Sequence, residues 1–266
     1  MKIMCLNGWG GTLYDPLVSY LQAEQPDILC LQEVIHTPLA TKNWLTYRDG
    51  GHSLPQRANL FRDVAAILPG HTAIFCPAAQ GELWDEEEPV ASQWGLATFV
   101  RGELPITAQI QGFVHKSFSP NGYGEHPRSR SAHAVRVYDY ERCRSLVIAH
   151  MHGLRDPKGK MDTPARRVQA EKLVELVSTI AESDDPIIVC GDFNVEPESE
   201  TFAILARFGL TDLVTATRSA GTRTSHYRKP GRFADYMLVS GKIEVRRFSV
   251  VTEPEVSDHC PLILDI

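Results

Sequence analysis

Apolar residues fall in short runs along the chain, and several of the runs end abruptly on a polar residue. Residues 2–6 form a buried-strand run, broken by Gly8, Gly10 and Gly11. Residues 13–23 are predicted as a helix, with Leu17, Val18 and Leu21 on one face. A short apolar strand is expected at 28–31, after the Pro26–Asp27 break.

The pattern weakens from residue 35 to residue 93. There, 58–68 can be helical, stopped by Pro69–Gly70, and 72–76 can be a strand. The acidic run 82–88 is expected to be a solvated loop. Strand signals return at 96–100, 106–110, 132–137 and 146–149. Pro164 opens a helix at a favoured first-turn position, with Leu173, Val174, Val177 and Ile180 as its apolar stripe. A buried strand at 187–190, a helix at 201–208 and strands at 234–239, 243–251 and 262–264 complete the chain. Many short strands with a few helices beside them predict two packed sheets with helices outside. No repeat, low-complexity tract or linker divides residues 1–266, so one domain is expected.

Composition narrows the function. Apolar residues make up 43% of the chain, enough for a large core. Lys and Arg number 27 against 33 Asp and Glu, a net charge of −6, whereas proteins that coat nucleic acid without sequence preference are usually basic. Basic residues do gather locally at Arg218, Arg223, Arg228, Lys229 and Arg232, at Arg128, Arg130 and Arg136, and at Arg155, Lys158 and Lys160. None of the six cysteines forms a CxxC pair, which argues against a zinc ribbon or redox motif. No signal peptide and no bilayer-length apolar run is evident, so a soluble cytoplasmic protein is expected, with no membrane and no obligate protein partner.

The candidate chemistry sits where apolar strands stop. Glu33 directly follows the run ending Leu31-Gln32, and a charge there needs a partner, either a salt bridge or a hard cation. Asp192 and Asn194 leave the strand 187–190 on the same side, and could equally make a local Asx turn. Asp258 and His259 make either a surface turn or a general base with its neighbour, and Asp235 interrupts an apolar run where a carboxylate could orient an imidazole.

Taken in order, these segments resemble the endonuclease/exonuclease/phosphatase superfamily, of exonuclease III and DNase I type, over essentially the whole span from Asn7 to His259. The resemblance rests on Leu31-Gln32-Glu33, on Ala149-His150-Met151-His152, on Gly191-Asp192-Phe193-Asn194, on Arg232 and Asp235-Tyr236, and on Ser257-Asp258-His259. It implies a four-layer α/β sandwich, with two mostly antiparallel sheets face to face and helices outside. It also implies a divalent-metal-dependent phosphoester hydrolase that uses Mg²⁺ or Mn²⁺ for in-line attack by water. By the same resemblance Glu33, Asn7 and Asp258 would hold the metal. His259, Asp192, His150, Asn194 and Asp235 would carry the chemistry, and Asn7, Asn194, His150 and Arg166 would contact substrate. His150 is preferred to His152 as the phosphate-contacting histidine.

The resemblance implies a phosphate-ester substrate. A small or unassigned mono- or diester leads, nucleic acid is the alternative, and lipid or inositol phosphate comes third. Trp84, Trp94, Tyr123 and Tyr227 could stack on bases or serve as packing. A different class, an inactive binding module on the same fold, would be signalled by loss of Glu33, Asp192 or His259, and all three are present.

Overall fold

The computed structural model describes residues 1–266. The strands are β1 (Lys2–Asn7), β2 (Ile28–His36), β3 (Trp44–Asp49), β4 (His52–Arg57), β5 (His71–Asp85), β6 (Glu88–Arg101) and β7 (Ile106–His115). The second half adds β8 (Arg130–Asp139), β9 (Arg144–His152), β10 (Ile187–Asp192), β11 (Leu210–Asp212), β12 (Asp235–Ser240), β13 (Arg247–Val250) and β14 (Leu262–Asp265). The α-helices are α1 (Tyr14–Glu24), α2 (Leu60–Ile67), α3 (Pro164–Ile180), α4 (Glu200–Arg207) and α5 (Leu213–Ala216).

Two mixed sheets result. One has the order β13-β14-β1-β2-β6-β5-β3-β4, the other β11-β12-β10-β9-β8-β7. Pairing is antiparallel except at β1/β2 and β9/β10. Alternation in the central strands explains the layering. Ile3, Cys5, Ile28 and Cys30 join the core shared with the six-stranded sheet, which includes Val147, Ile188 and Cys190. Met4, Leu6, Leu29 and Leu31 face the other way and are covered by Leu17 and Leu21 of α1 and Leu60 and Val64 of α2. Leu173, Leu176 and Val177 of α3 pack on the second sheet. Thr163 caps α3 through its side-chain oxygen, and Pro164 occupies the first turn, as expected. No helix is long and apolar enough to cross a membrane.

The weakly patterned region 35–93 is structured as sheet and helix. It supplies β3, β4, α2, β5 and the start of β6, extending the eight-stranded sheet at one edge. The acidic run is not a loop, contrary to expectation. Residues 82–85 belong to β5 and pair with β6, from Glu82↔Ala91 to Asp85↔Glu88, around a turn at Glu86 and Glu87. Leu83 is the buried residue that holds this hairpin down, while the carboxylates occupy its turn and solvent side. At the other end of the chain, the strand expected over 243–251 is confined to Arg247–Val250, although Ile243 is buried.

Candidate active site

The ends of β1, β2, β9, β10 and β12 bring the polar residues together. β1 delivers Asn7, which is buried and donates from Nδ2 to Asp192 Oδ2 at 3.0 Å. In β2 a register shift between Leu31 and Val34 accompanies a left-handed backbone at Glu33, φ 54°. Strict alternation would turn Glu33 away from Gln32. The bulge re-aims it, so that its carboxylate reaches His152 and the charge of Asp192.

The parallel pairing of β9 with β10 sets His152 beside Asp192 and His150 beside Cys190. The exit of β10 requires Gly191. Its φ is 139°, and a Cβ there would lie 2.1 Å from the Met151 carbonyl oxygen. Beyond Asp192 the chain turns through Asn194, also left-handed at φ 54°, whose amide nitrogen donates to Asp192 Oδ1 at 3.0 Å. The Asx turn is therefore present, and it fixes the carboxylate.

β12 opens on Asp235, opposite Asp192 in the antiparallel register. Both carboxylate oxygens of Asp235 meet His259 Nδ1, at 2.9 and 2.8 Å. Thr222 Oγ1 accepts from the amides of Ala234 and Asp235, which holds the start of β12 in place. The far nitrogen of the ring, His259 Nε2, lies 3.6 Å from Asp192 Oδ2 and 3.7 Å from Asp258 Oδ1. His152 Nε2 is 3.7 Å from Asp192 Oδ2 and 3.8 Å from Glu33 Oε1. A continuous polar line thus runs Asp235–His259–Asp192–His152–Glu33.

Burial sets the charges. It pushes the His259 imidazole down to about 4, helped by the Arg223 guanidinium and opposed by Asp258 and Asp192. It pushes the Asp235 carboxyl up to about 7, with Arg223 pulling the other way. Burial and the charge of Asp192 raise Glu33. Burial also raises Asp258, against the pull of His259 and Arg223. His152 is driven well below its usual value by burial and then by Arg130. The site therefore gathers carboxyl groups whose charged forms are disfavoured beside imidazoles held neutral.

Two expected residues lie elsewhere. His150 does not join the cluster. It faces the same way as His152 but one pleat deeper, bonded to Gln32 Nε2 through Nδ1 at 3.1 Å and to Thr98 Oγ1 through Nε2 at 2.8 Å. His152 takes the place expected of His150, because a side chain must be as near its strand exit as Asp192 is to its own. Arg166 does not face a substrate. It is 1% exposed, and its guanidinium donates to the carbonyls of Leu154, Gly159, Met161 and Asn194. It pins the turn at Asn194 from beneath. Arg232 likewise donates to the Arg223 and Tyr227 carbonyls.

Other residues join the site without having been singled out for it. Arg130 is buried, donates to the Gly153 carbonyl at 2.8 Å and stacks over Trp94, whose ring lies 5.1 Å from that of His152. Arg223 touches His259 and Asp258 and lies over Tyr227. Trp94 and Tyr227 therefore flank the cluster. Trp84 belongs to the hairpin extension, against Arg48, and Tyr123 comes from the loop between β7 and β8 to pack beside Gly81 and Arg128. The basic residues were visible in sequence only as loose groups, since no spacing rule marks an arginine that returns to a strand exit.

Two face-to-face sheets with their acidic and histidine-bearing exits on one rim define a DNase I-like α/β sandwich. The model described as "Endonuclease/Exonuclease/phosphatase family" matches residues 4–259, and the chain belongs to that family of phosphate-ester hydrolases. No curated protein matches by sequence. Among solved structures, the mannosyl-6-phosphatase of Bacteroides thetaiotaomicron VPI-5482 is similar at TM-score 0.70 and 16% identity, covering 100% of this chain and 98% of that one. The human Nocturnin catalytic domain with bound sulfate anion gives 0.68 and 21%, covering 100% and 92%. An endonuclease/exonuclease/phosphatase from Bacteroides vulgatus gives 0.69 and 16%, covering 99% and 97%. At these identities the likeness is one of fold.

Proposed function

We propose that the chain, acting as one catalytic unit, is a divalent-metal-dependent phosphoesterase in which water attacks phosphorus in line. The observation that carries this reading is the line Asp235–His259–Asp192, with contacts of 2.8 and 3.6 Å, ending beside Glu33.

Asp235 accepts a hydrogen bond from Nδ1–H of His259 and fixes the tautomer in which Nε2 carries an unprotonated lone pair. Burial keeps that imidazole neutral, the form a general base must have. Asp192, held by Asn7 and by the Asn194 amide, orients the attacking water together with His259. The proton lost from water goes to Nε2 of His259. Asn7, Asn194 and His152 stand on the rim to hydrogen-bond the phosphoryl oxygens, the arrangement that stabilises charge developing in the transition state.

The residues fit a hard cation. Glu33 and Asp258 are oxygen donors whose burial disfavours their bare charges, and Asp258 Oδ1 is a buried acceptor with no partner. Asn7 Oδ1 accepts from the Trp9 amide and keeps a second lone pair. Mg²⁺ or Mn²⁺ held by Glu33, Asp258 and Asn7 would neutralise charge on the phosphoryl and leaving oxygens. The ligand atoms of Asp192, Asp235 and His259 also lie within 4.8 Å of one another. Asp235 is already paired with His259 and burial raises its carboxyl, so Glu33, Asp258 and Asn7 are the proposed ligands.

The substrate proposed first is a small phosphodiester or monoester. Nucleic acid is the second reading, favoured by Arg130 with Trp94 on one flank of the cluster and Arg223 with Tyr227 on the other. The test is hydrolysis of bis-p-nitrophenyl phosphate and of an abasic-site duplex with Mg²⁺, Mn²⁺ or EDTA, beside Asp192→Asn. Metal-dependent turnover lost in the variant is expected. Cleavage of the duplex would select the second reading, and a folded protein inert on both would overturn the first.

A further inference from the structure

Three consecutive residues, Thr222-Arg223-Thr224, lie buried alongside the segment 257–260. Thr222 accepts the Cys260 amide through its carbonyl at 2.8 Å, and the Thr224 amide donates to the Asp258 carbonyl at 3.1 Å. Thr224 Oγ1 donates to the Ser257 carbonyl at 2.7 Å. The zipper places Arg223 in a bridge directly across from His259. Its side chain is 7% exposed and forms a salt bridge with Asp258. It turns back over the Tyr227 ring, at 4.3 Å, and donates from one terminal nitrogen both to Asp258 Oδ2, at 2.9 Å, and to His259 Nε2.

That second contact conflicts with the chemistry. Nδ1 of His259 is committed to Asp235, so Nε2 holds the only lone pair that can take a proton from water. A guanidinium has no acceptor and donates into that lone pair. While it does so, His259 cannot act as a base. The guanidinium must leave before chemistry, and only a better anion can draw it away. A second observation points the same way. Arg223 Nε is buried and has no partner, as is Asp258 Oδ1. An unpaired buried donor is unfavourable and rare, and here it belongs to a planar fork whose shape matches two oxygens of one phosphoryl group.

We propose that Arg223 is a substrate-binding residue: it holds non-bridging oxygens of the scissile phosphoryl group, and in the free protein its guanidinium rests on the base His259. Binding substrate and freeing the base are then one event, and water without a bound phosphate meets a blocked imidazole. Tyr227 supplies the surface over which the guanidinium moves while remaining stacked. The inference rests on the hydrolase reading above, but its test can be read separately.

The experiment titrates inorganic phosphate into the full-length protein with Mg²⁺ by calorimetry, and measures KM and kcat for bis-p-nitrophenyl phosphate, for wild type, Arg223→Gln and Arg223→Lys. Arg223→Gln is expected to weaken phosphate binding and raise KM by about tenfold to a hundredfold, the worth of a charge-assisted contact. Lys, a point charge without the fork, is expected to recover part of the loss. Unchanged phosphate affinity in Arg223→Gln overturns the proposal. So does a faster kcat with KM unchanged, which would make Arg223 a plug alone. Should Arg223→Gln fail to fold, phosphate affinity of Arg223→Lys equal to wild type is the overturning result. Phosphate binding lost in the variants while wild type hydrolyses no ester would sink the hydrolase reading and leave only the phosphate-binding role of Arg223 standing.

Discussion

His152 lies directly across the β9–β10 ladder from Asp192, and its Nε2 is 3.7 Å from the Asp192 carboxylate. His150, two residues earlier on the same face, is sealed between the sheets by Gln32 and Thr98. Two histidines of one strand, separated by one pleat, are therefore assigned to the site and to the core. His152→Asn is expected to lower kcat by about 10²-fold or more, as removal of a donor aimed at developing charge does, with the fold intact. His150→Leu is expected to keep kcat near wild type. It should lose roughly 1 kcal/mol of stability for each of the bonds to Gln32 and Thr98, because Gln32 Nε2 keeps the Cys30 carbonyl and Thr98 Oγ1 keeps His133. Steady-state kinetics beside urea unfolding separates the two. The assignment fails if His150→Leu abolishes turnover in a folded protein.

The Asp235–His259 pair makes a second prediction. An amide at 235 offers Nδ1 a donor or an acceptor indifferently and so ceases to select the tautomer. Asp235→Asn should reduce kcat by on the order of 10²- to 10⁴-fold, with little change in KM, because the pair acts on the base rather than on substrate contacts. A KM effect equal to the kcat effect would count against the relay.

How far this site could be seen in sequence depends on what sets each residue's place. Glu33, Asp192, Asp235 and His259 were legible because each interrupts or ends an apolar strand, and a polar residue there needs a reason. Sequence alone does not separate His150 from His152, because both fit the strand's alternation and only the register with β10 distinguishes their places. Arg166 shares a helix face that sequence places near the site. That it points into a cage of carbonyls depends on the loop from Leu154 to Met161, which no periodicity describes. The hairpin of β5 and β6 was hidden because its alternation is carried by single apolar residues such as Leu83 amid carboxylates.

The metal makes a third prediction, readable without turnover. Burial and Asp192 disfavour the charged form of Glu33, so in EDTA Glu33→Gln should be no less stable than wild type. Added Mg²⁺ should raise the melting temperature of wild type, by about 2.7 kcal/mol in stability at a hundredfold excess over Kd, and leave Glu33→Gln unmoved. EDTA should abolish wild-type hydrolysis and Mg²⁺ or Mn²⁺ restore it. Equal Mg²⁺ stabilisation of both proteins would place the cation elsewhere.

A buried histidine outside the site gives the last prediction, one of stability against pH. His133 bonds Thr98 through Nδ1 at 2.7 Å in the layer between the sheets, and burial lowers its pKa from 6.5 to about 4. As pH falls below 6.5 the unfolded chain takes up this proton first, while the folded protein keeps the ring neutral. The unfolded state then binds more protons, so the stability owed to this group is complete above pH 6.5 and is lost progressively between 6.5 and 4. At about 1.4 kcal/mol per pH unit, roughly 2 kcal/mol should be gone by pH 5. Other buried groups titrate in the same range, and Asp235, raised by burial, acts in the opposite direction. The difference between wild type and His133→Asn isolates this one. The amide can keep a bond to Thr98 and does not titrate, so the wild type should weaken relative to the variant as pH falls from 7.5 to 5 in parallel urea titrations. A gap between the two proteins that stays constant with pH would show that His133 titrates alike in the folded and the unfolded chain.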